Sequence, residues 1–225
     1  MMNFNLSDAV NAKEGGKALT AGIKDATFMG VSFEKKTSQK TNETYNVMSL
    51  KLDIDGYGEY TQSFFEPQSA ERQEMQWGLS ASQLDHFKII MTEILEAINP
   101  QVIKDIQNGT KTLSGNFKQV VDSLAAFTKD MIGVTRVQVK LIPQNNGFVA
   151  MPQYVARITK SGELGIATRI IGQNLTLTPS EVKKIEAANT ASPTNMASIS
   201  STKDTVESML DDFKVDNDND NDLPF

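Results

Sequence analysis

Cysteine is absent from the 225-residue chain, histidine is reduced to His86 and tryptophan to Trp77. Without cysteine there are no disulfides, thiolate metal sites or cysteine nucleophiles. With one histidine, a multi-histidine metal site is impossible and a Ser-His-Asp triad could run through one residue only. No stretch approaches the ~18 apolar residues of a membrane span. The opening MMNFNLSDAVNAKEGG lacks an apolar run behind basic residues, so no signal peptide is expected and a cytoplasmic location follows. No Gly-rich loop has phosphate-cradle spacing, which leaves nucleotide hydrolysis without support.

What is present is an ordinary globular composition, 39% hydrophobic and 22% charged, long enough for one elaborated domain or two small ones. The formal charge of −6 is unevenly spread. From Asp204 to Phe225 eight acids (Asp204, Glu207, Asp211, Asp212, Asp216, Asp218, Asp220, Asp222) face one base, Lys214, a local −7 that leaves residues 1–203 at +1. Residues 131–175 set Arg136, Lys140, Arg157, Lys160 and Arg169 against Glu163, a local +4. Residues 21–40 carry Lys24, Lys35, Lys36 and Lys40 against Asp25 and Glu34. A near-neutral body with basic stretches thus ends in an acidic appendage, and such terminal blocks are usually interaction tails.

The pattern along the chain divides it. Residues 1–20 are polar and read as an extension. From Ala21 the period is two: Ile23, Thr27, Met29, Val31 and Phe33 fall on one face, Lys24, Phe28 and Ser32 on the other. YNVMSLKLDI alternates in the same way, with Met48, Leu50, Leu52 and Ile54 inward and Tyr45, Val47, Ser49, Lys51 and Asp53 outward. Asp55-Gly56 predicts a hairpin into a third strand, GEYTQSFFEP. The spacing then becomes helical over Leu84–Ile98 and again from about Asn116 to Met131. VTRVQVKLI and FVAMPQYVARITK predict two further strands across an Asn146-Gly147 turn, and LGIATRII a possible sixth. Thr178-Pro179-Ser180-Glu181 is a capping-box match opening a short helix, followed by the linker ANTASPTNMASISSTK. The order strand-strand-strand-helix-strand-strand is that of the OB-fold, a five-stranded Greek-key barrel that binds oligonucleotides. An α+β two-layer domain presents the same order. The expected organisation is an OB-fold domain over 21–172 with a helical insertion at about 80–131, a short helix and linker over 173–203, and an acidic tail over 204–225.

Two constellations carry possible chemistry. The first is a set of cations and rings: Lys24, Phe28, Tyr45, Lys51, Tyr60, Arg136, Lys140, Tyr154 and Arg157 on the strands, with Lys35 and Lys36 in the polar stretch KKTSQKTNET, which reads as a loop. Cations that track phosphates and rings that stack on splayed bases form a single-strand binding surface, each stack worth ~1–3 kcal/mol. A plainly solvated sheet face is the alternative. The second is the terminus Asp216-Asn217-Asp218-Asn219-Asp220-Asn221-Asp222-Leu223-Pro224-Phe225. It resembles the bacterial and phage single-stranded DNA-binding proteins, whose chains end in a disordered acidic tip, a hydrophobic residue, Pro and a final Phe. Asn alternates with Asp where consecutive acids are usual, and Leu223 stands where Ile is usual; the negative charge, apolar residue and terminal ring remain.

The resemblance implies an OB-fold and a non-catalytic protein that coats single-stranded DNA in replication, recombination and repair. It also implies a docking role for Asp218, Asp220, Asp222, Leu223, Pro224 and Phe225 on partner enzymes such as a helicase, primase, polymerase or exonuclease. The long helical insertion looks more like phage versions, and the setting would be a nucleoid or an infected host's cytoplasm. No cofactor, metal or membrane is expected, and a homo-oligomer is compatible with the pattern. The alternative class is a structural or assembly protein with an acidic solubilising tail. Asp53, Asp55 and Glu59 do not fit the calcium-loop spacing and read as hairpin residues. His86 reads as a surface or capping residue, and Trp77 as an anchor of its segment.

Overall fold

The computed structural model describes residues 19–38, 41–74, 80–144, 148–152, 157–162 and 175–190. Their longest element is β1 (Gly22–Thr37), paired antiparallel with β2 (Thr44–Ile54), which in turn pairs with β3 (Gly58–Phe65). Asp55 and Gly56 turn the β2–β3 hairpin; Gly56 sits at φ 73°, in the left-handed region open to glycine, and the Tyr57 N–H donates to the Ile54 carbonyl at 3.0 Å.

A short hairpin, β4 (Arg72–Glu74) with β5 (Ser80–Ser82), leads into three helices, α1 (Gln83–Ile98), α2 (Pro100–Gln107) and α3 (Phe117–Thr128). Ser82 caps α1 by accepting from the Asp85 N–H at 3.0 Å, while Asn116 and Gln119 close a capping box on α3. The chain then returns through β6 (Arg136–Pro143), β7 (Val149–Ala150) and β8 (Ile158–Lys160), and ends its described part in α4 (Pro179–Thr190).

β6 pairs with β1 on one side, from Gly22↔Leu141 to Thr27↔Arg136, and with both β7 and β8 on the other. The resulting order β3-β2-β1-β6-β7, with β8 also on β6, places the fourth long strand beside the first, which is Greek-key connectivity. Among the described residues this six-stranded sheet is antiparallel and is not closed by strand pairing. A hydrogen bond from the Met151 N–H to Gln62 Oε1 at 3.1 Å links β3 to the segment after β7.

The core lies where the inward rows of the sheet meet the helices. Met48, Leu50, Leu52 and Ile54 of β2 and Val137, Val139 and Leu141 of β6 pack with Ile94, Leu95 and Ile98 of α1, Val102 of α2 and Val121 and Leu124 of α3. Each side chain of this size, once fully buried, contributes about 1.5–3 kcal/mol. Among the described residues no helix is long and apolar enough to cross a membrane.

β1 departs from the simple alternation. Its pairing with β2 slips between Phe28↔Leu52 and Gly30↔Lys51, which leaves Met29 as the extra residue of a bulge, with Gly30 at φ 126°. A bulge exchanges the two faces beyond it. Before it Ala26 and Phe28 are buried; after it the inward residues are Val31 and Phe33. Ser32 and Phe28 therefore do not share a face, and Phe28, expected outward, is a fully buried core residue.

Candidate nucleic-acid interface

Alternation along the strands puts Ser32, Glu34 and Lys36 of β1, Tyr45, Val47, Ser49 and Lys51 of β2, and Thr61, Ser63 and Phe65 of β3 on the face opposite the core cluster, the outward face, although Val47 and Ser49 at its centre are themselves fully buried. Register aligns them in rows: Lys36 beside Tyr45, Glu34 with Val47 and Phe65, Ser32 with Ser49 and Ser63, and Gly30 with Lys51 and Thr61. Tyr45 meets Phe65 edge to face, ring centroids 6.0 Å apart, which presents two rings at one end of the face. The Tyr45 hydroxyl donates to Glu43, and that bond pushes the phenol up from its ordinary range.

The lysines are not free cations. Lys36 Nζ donates to Ser63 Oγ at 2.8 Å, so its alkyl chain has to cross β2 to reach β3. Glu34 stands between the cations, 3.9 Å from Lys36 Nζ and 3.8 Å from Lys51 Nζ, and accepts from Ser32 Oγ at 3.0 Å. Lys51 keeps 40% of its side-chain exposure. Glu66 accepts from Asn46 Nδ2 at 2.7 Å on the other face of the sheet, the side of Lys35. The surface therefore interleaves lysines, carboxylates, hydroxyls and two rings.

The other expected binding residues are distributed elsewhere. Lys35 is exposed at the end of β1, on the opposite side from Lys36. Lys24 lies near the start of β1 and donates to Thr20 Oγ1 at 2.7 Å. Arg136 makes a two-pronged contact with Asp55, Nη1 to Oδ1 at 2.8 Å, and also reaches Thr27 Oγ1 at 2.9 Å. That guanidinium holds the Asp55 carboxyl below its usual range. Asp25, Asp53, Asp55 and Glu59 are all exposed around it, so this end of the sheet is acidic. Tyr60 turns toward the core, donates to Gln62 Oε1 at 2.6 Å, and burial pushes its phenol up.

Lys140 and Arg157 are each 1% exposed and so are not part of an outward surface. Alternation alone places Lys140 outward on β6, but α4 covers it, and its ammonium binds the Thr176 carbonyl at 2.9 Å and Glu181 at 3.1 Å. Arg157 donates to Glu93 of α1 at 2.6 Å and meets Nε2 of the half-buried His86 at 3.0 Å. Tyr154, Trp77, the sixth strand and the acidic terminus lie outside the described residues. No group of three His, Cys, Asp or Glu able to hold a metal occurs among the described residues.

Sequence reasoning missed Phe65 as a surface ring and the serine row as a unit. The signal for the first was present: adjacent Phe64 and Phe65 in one strand cannot both face the core. No protein-family model, curated protein or solved structure matches this chain.

Proposed function

We propose that the protein binds single-stranded DNA on the outward face of β1–β3, coats it during replication or recombination, and recruits partner enzymes through its acidic terminus. The observation that carries this is the gathering of Lys36, Lys51, Tyr45 and Phe65 on one face of three consecutive strands. Half-exposed rings beside ammonium groups suit a strand with splayed bases and a poor fit to a duplex. The Greek-key order and the Gln62–Met151 contact support an OB-type barrel, whose second and third strands are the usual oligonucleotide platform. The tail sequence supports the recruiting role: Asp218, Asp220 and Asp222 supply charge and Leu223, Pro224 and Phe225 an apolar tip.

The −7 tail, joined by a linker of about 15 residues, has a high effective concentration near the lysines of the body. It competes with DNA for them and is released on binding. Deleting residues 214–225 is expected to tighten single-strand binding at low salt; unchanged affinity would contradict the competition.

A second reading, self-assembly, is favoured by one observation. Met29, Ile132 and Val134 are 42%, 43% and 72% exposed near the β1 bulge, where the Ile132 side chain approaches Gly30. Mass measurement in solution separates the readings: a monomer that still binds single strands removes assembly as the function.

A further inference from the structure

The row Ser32–Ser49–Ser63 crosses all three strands of the outward face. Two of its hydroxyls are engaged, Ser32 by Glu34 at 3.0 Å and Ser63 by Lys36 at 2.8 Å. The central one is not: Ser49 Oγ has no hydrogen-bond partner among the described residues, and Ser49 is 0% exposed. A buried hydroxyl without a partner is costly, and a ligand that accepts from it recovers that cost. The groups around it are two ammoniums, Lys36 and Lys51, held by one carboxylate, Glu34. Hydroxyl donors ringed by ammoniums are the chemistry of a phosphate seat, and a carboxylate is the side chain closest to phosphate in charge and acceptor character.

We propose that Ser32, Ser49 and Ser63 with Lys36 and Lys51 form a seat for one phosphate of the bound strand, and that Glu34 occupies it in the free protein. The inference rests on the single-strand reading above and adds the regulation of its site: Glu34 holds the lysines in place, keeps weak anions out, and has to swing away before Ser49 can donate. Bound strand and Glu34 carboxylate are alternatives at one position, so the glutamate lowers the affinity it helps to organise.

The test is fluorescence anisotropy of a labelled oligo(dT) with the full chain at ~50 mM salt, for wild type, Glu34→Gln and Ser49→Ala. Glu34→Gln is expected to bind about fivefold to tenfold more tightly and to steepen the log–log salt dependence by about 0.7, the contribution of one freed cation on a single strand. Ser49→Ala is expected to bind about tenfold more weakly while its thermal midpoint stays level or rises, because the hydroxyl it removes has no partner among the described residues. If wild type binds and Glu34→Gln binds no more tightly, or Ser49→Ala binds as wild type does, the seat is wrong and the single-strand reading stands. If neither wild type nor the form lacking residues 214–225 binds, the reading fails and the seat with it. Inorganic phosphate added at matched ionic strength identifies the source. Competition no stronger than that of chloride supports a strand phosphate; stronger competition assigns the seat to free phosphate and overturns the proposal.

Discussion

Lys140 of β6, 1% exposed, is held at 3.1 Å by Glu181 of α4, and that same carboxylate accepts from the Thr178 N–H at 2.7 Å to complete the helix cap. One glutamate therefore starts the helix and fastens it to the sheet. Lys140→Ala removes the buried cation and leaves Glu181, 12% exposed, without its counter-charge. Its removal is expected to cost about 3 kcal/mol in urea denaturation and to open 175–190 to limited proteolysis. Single-strand affinity of the folded fraction should stay unchanged.

A second buried pair ties the helices to the last strand. Glu93 and Arg157 are each 1% exposed and bonded at 2.6 Å, with burial pushing the Glu93 carboxyl up by more than the guanidinium draws it down. Removing either partner strands the other charge, so Glu93→Leu or Arg157→Met alone is expected to cost about 3–5 kcal/mol. The double replacement should return to wild-type stability or exceed it. A denaturant double-mutant cycle reads both; single losses below about 1 kcal/mol would contradict the pairing.

Gly30 sits at φ 126° in the β1 bulge, where a side chain is strained even though the nearest atom to an added Cβ is Ile132 Cδ1 at 3.5 Å. Gly30→Ala is expected to lose about 1–3 kcal/mol. Because the bulge decides which residues of β1 face outward, the same variant should weaken single-strand binding, unlike a destabilising change confined to the α1 helix.

The Arg136–Asp55 pair gives a pH dependence whose sign is fixed. Hydrogen bonding from Arg136 lowers the Asp55 pKa below its unfolded value, so the pair contributes stability above about pH 3.9 and loses it as pH falls through the lower, folded value. Arg136→Gln should therefore be less stable than wild type at neutral pH, and the gap should close in acid. Urea midpoints at pH 7 and pH 3 measure it; a gap unchanged at pH 3 would contradict the assignment.

Much of this arrangement is legible in the sequence. Alternation located β1, β2, β3 and β6, helical spacing located α1 and α3, and Thr178-Pro179-Ser180-Glu181 marked the start of α4. α2 was hidden because Asn99-Pro100 reads as a stop, whereas Pro100 is the first residue of a new helix. β4 and β5 are three residues each, too short to show a period. At the site, Tyr45 and Lys51 were readable as outward residues, whereas Lys36 reads as part of a polar loop and lies instead in β1, which runs on to Thr37. Phe28 was not, because a one-residue bulge exchanges the faces of a strand with no mark in its hydrophobicity beyond Gly30. Lys140 and Arg157 were not, because their partners lie 41 and 64 residues away and burial across such distances leaves no local pattern.

The most direct measurement is a titration of single- and double-stranded oligonucleotides of equal length at ~50 mM salt, with the full chain, with the chain lacking residues 214–225, and with Tyr45→Ala and Phe65→Ala in each. Single-strand binding is expected to exceed duplex binding, to weaken with salt, to tighten when the tail is removed, and to lose ~1–3 kcal/mol with each ring. Absence of single-strand binding by the chain without its tail, or binding indifferent to both rings, would contradict a nucleic-acid interface on the outward face of β1–β3.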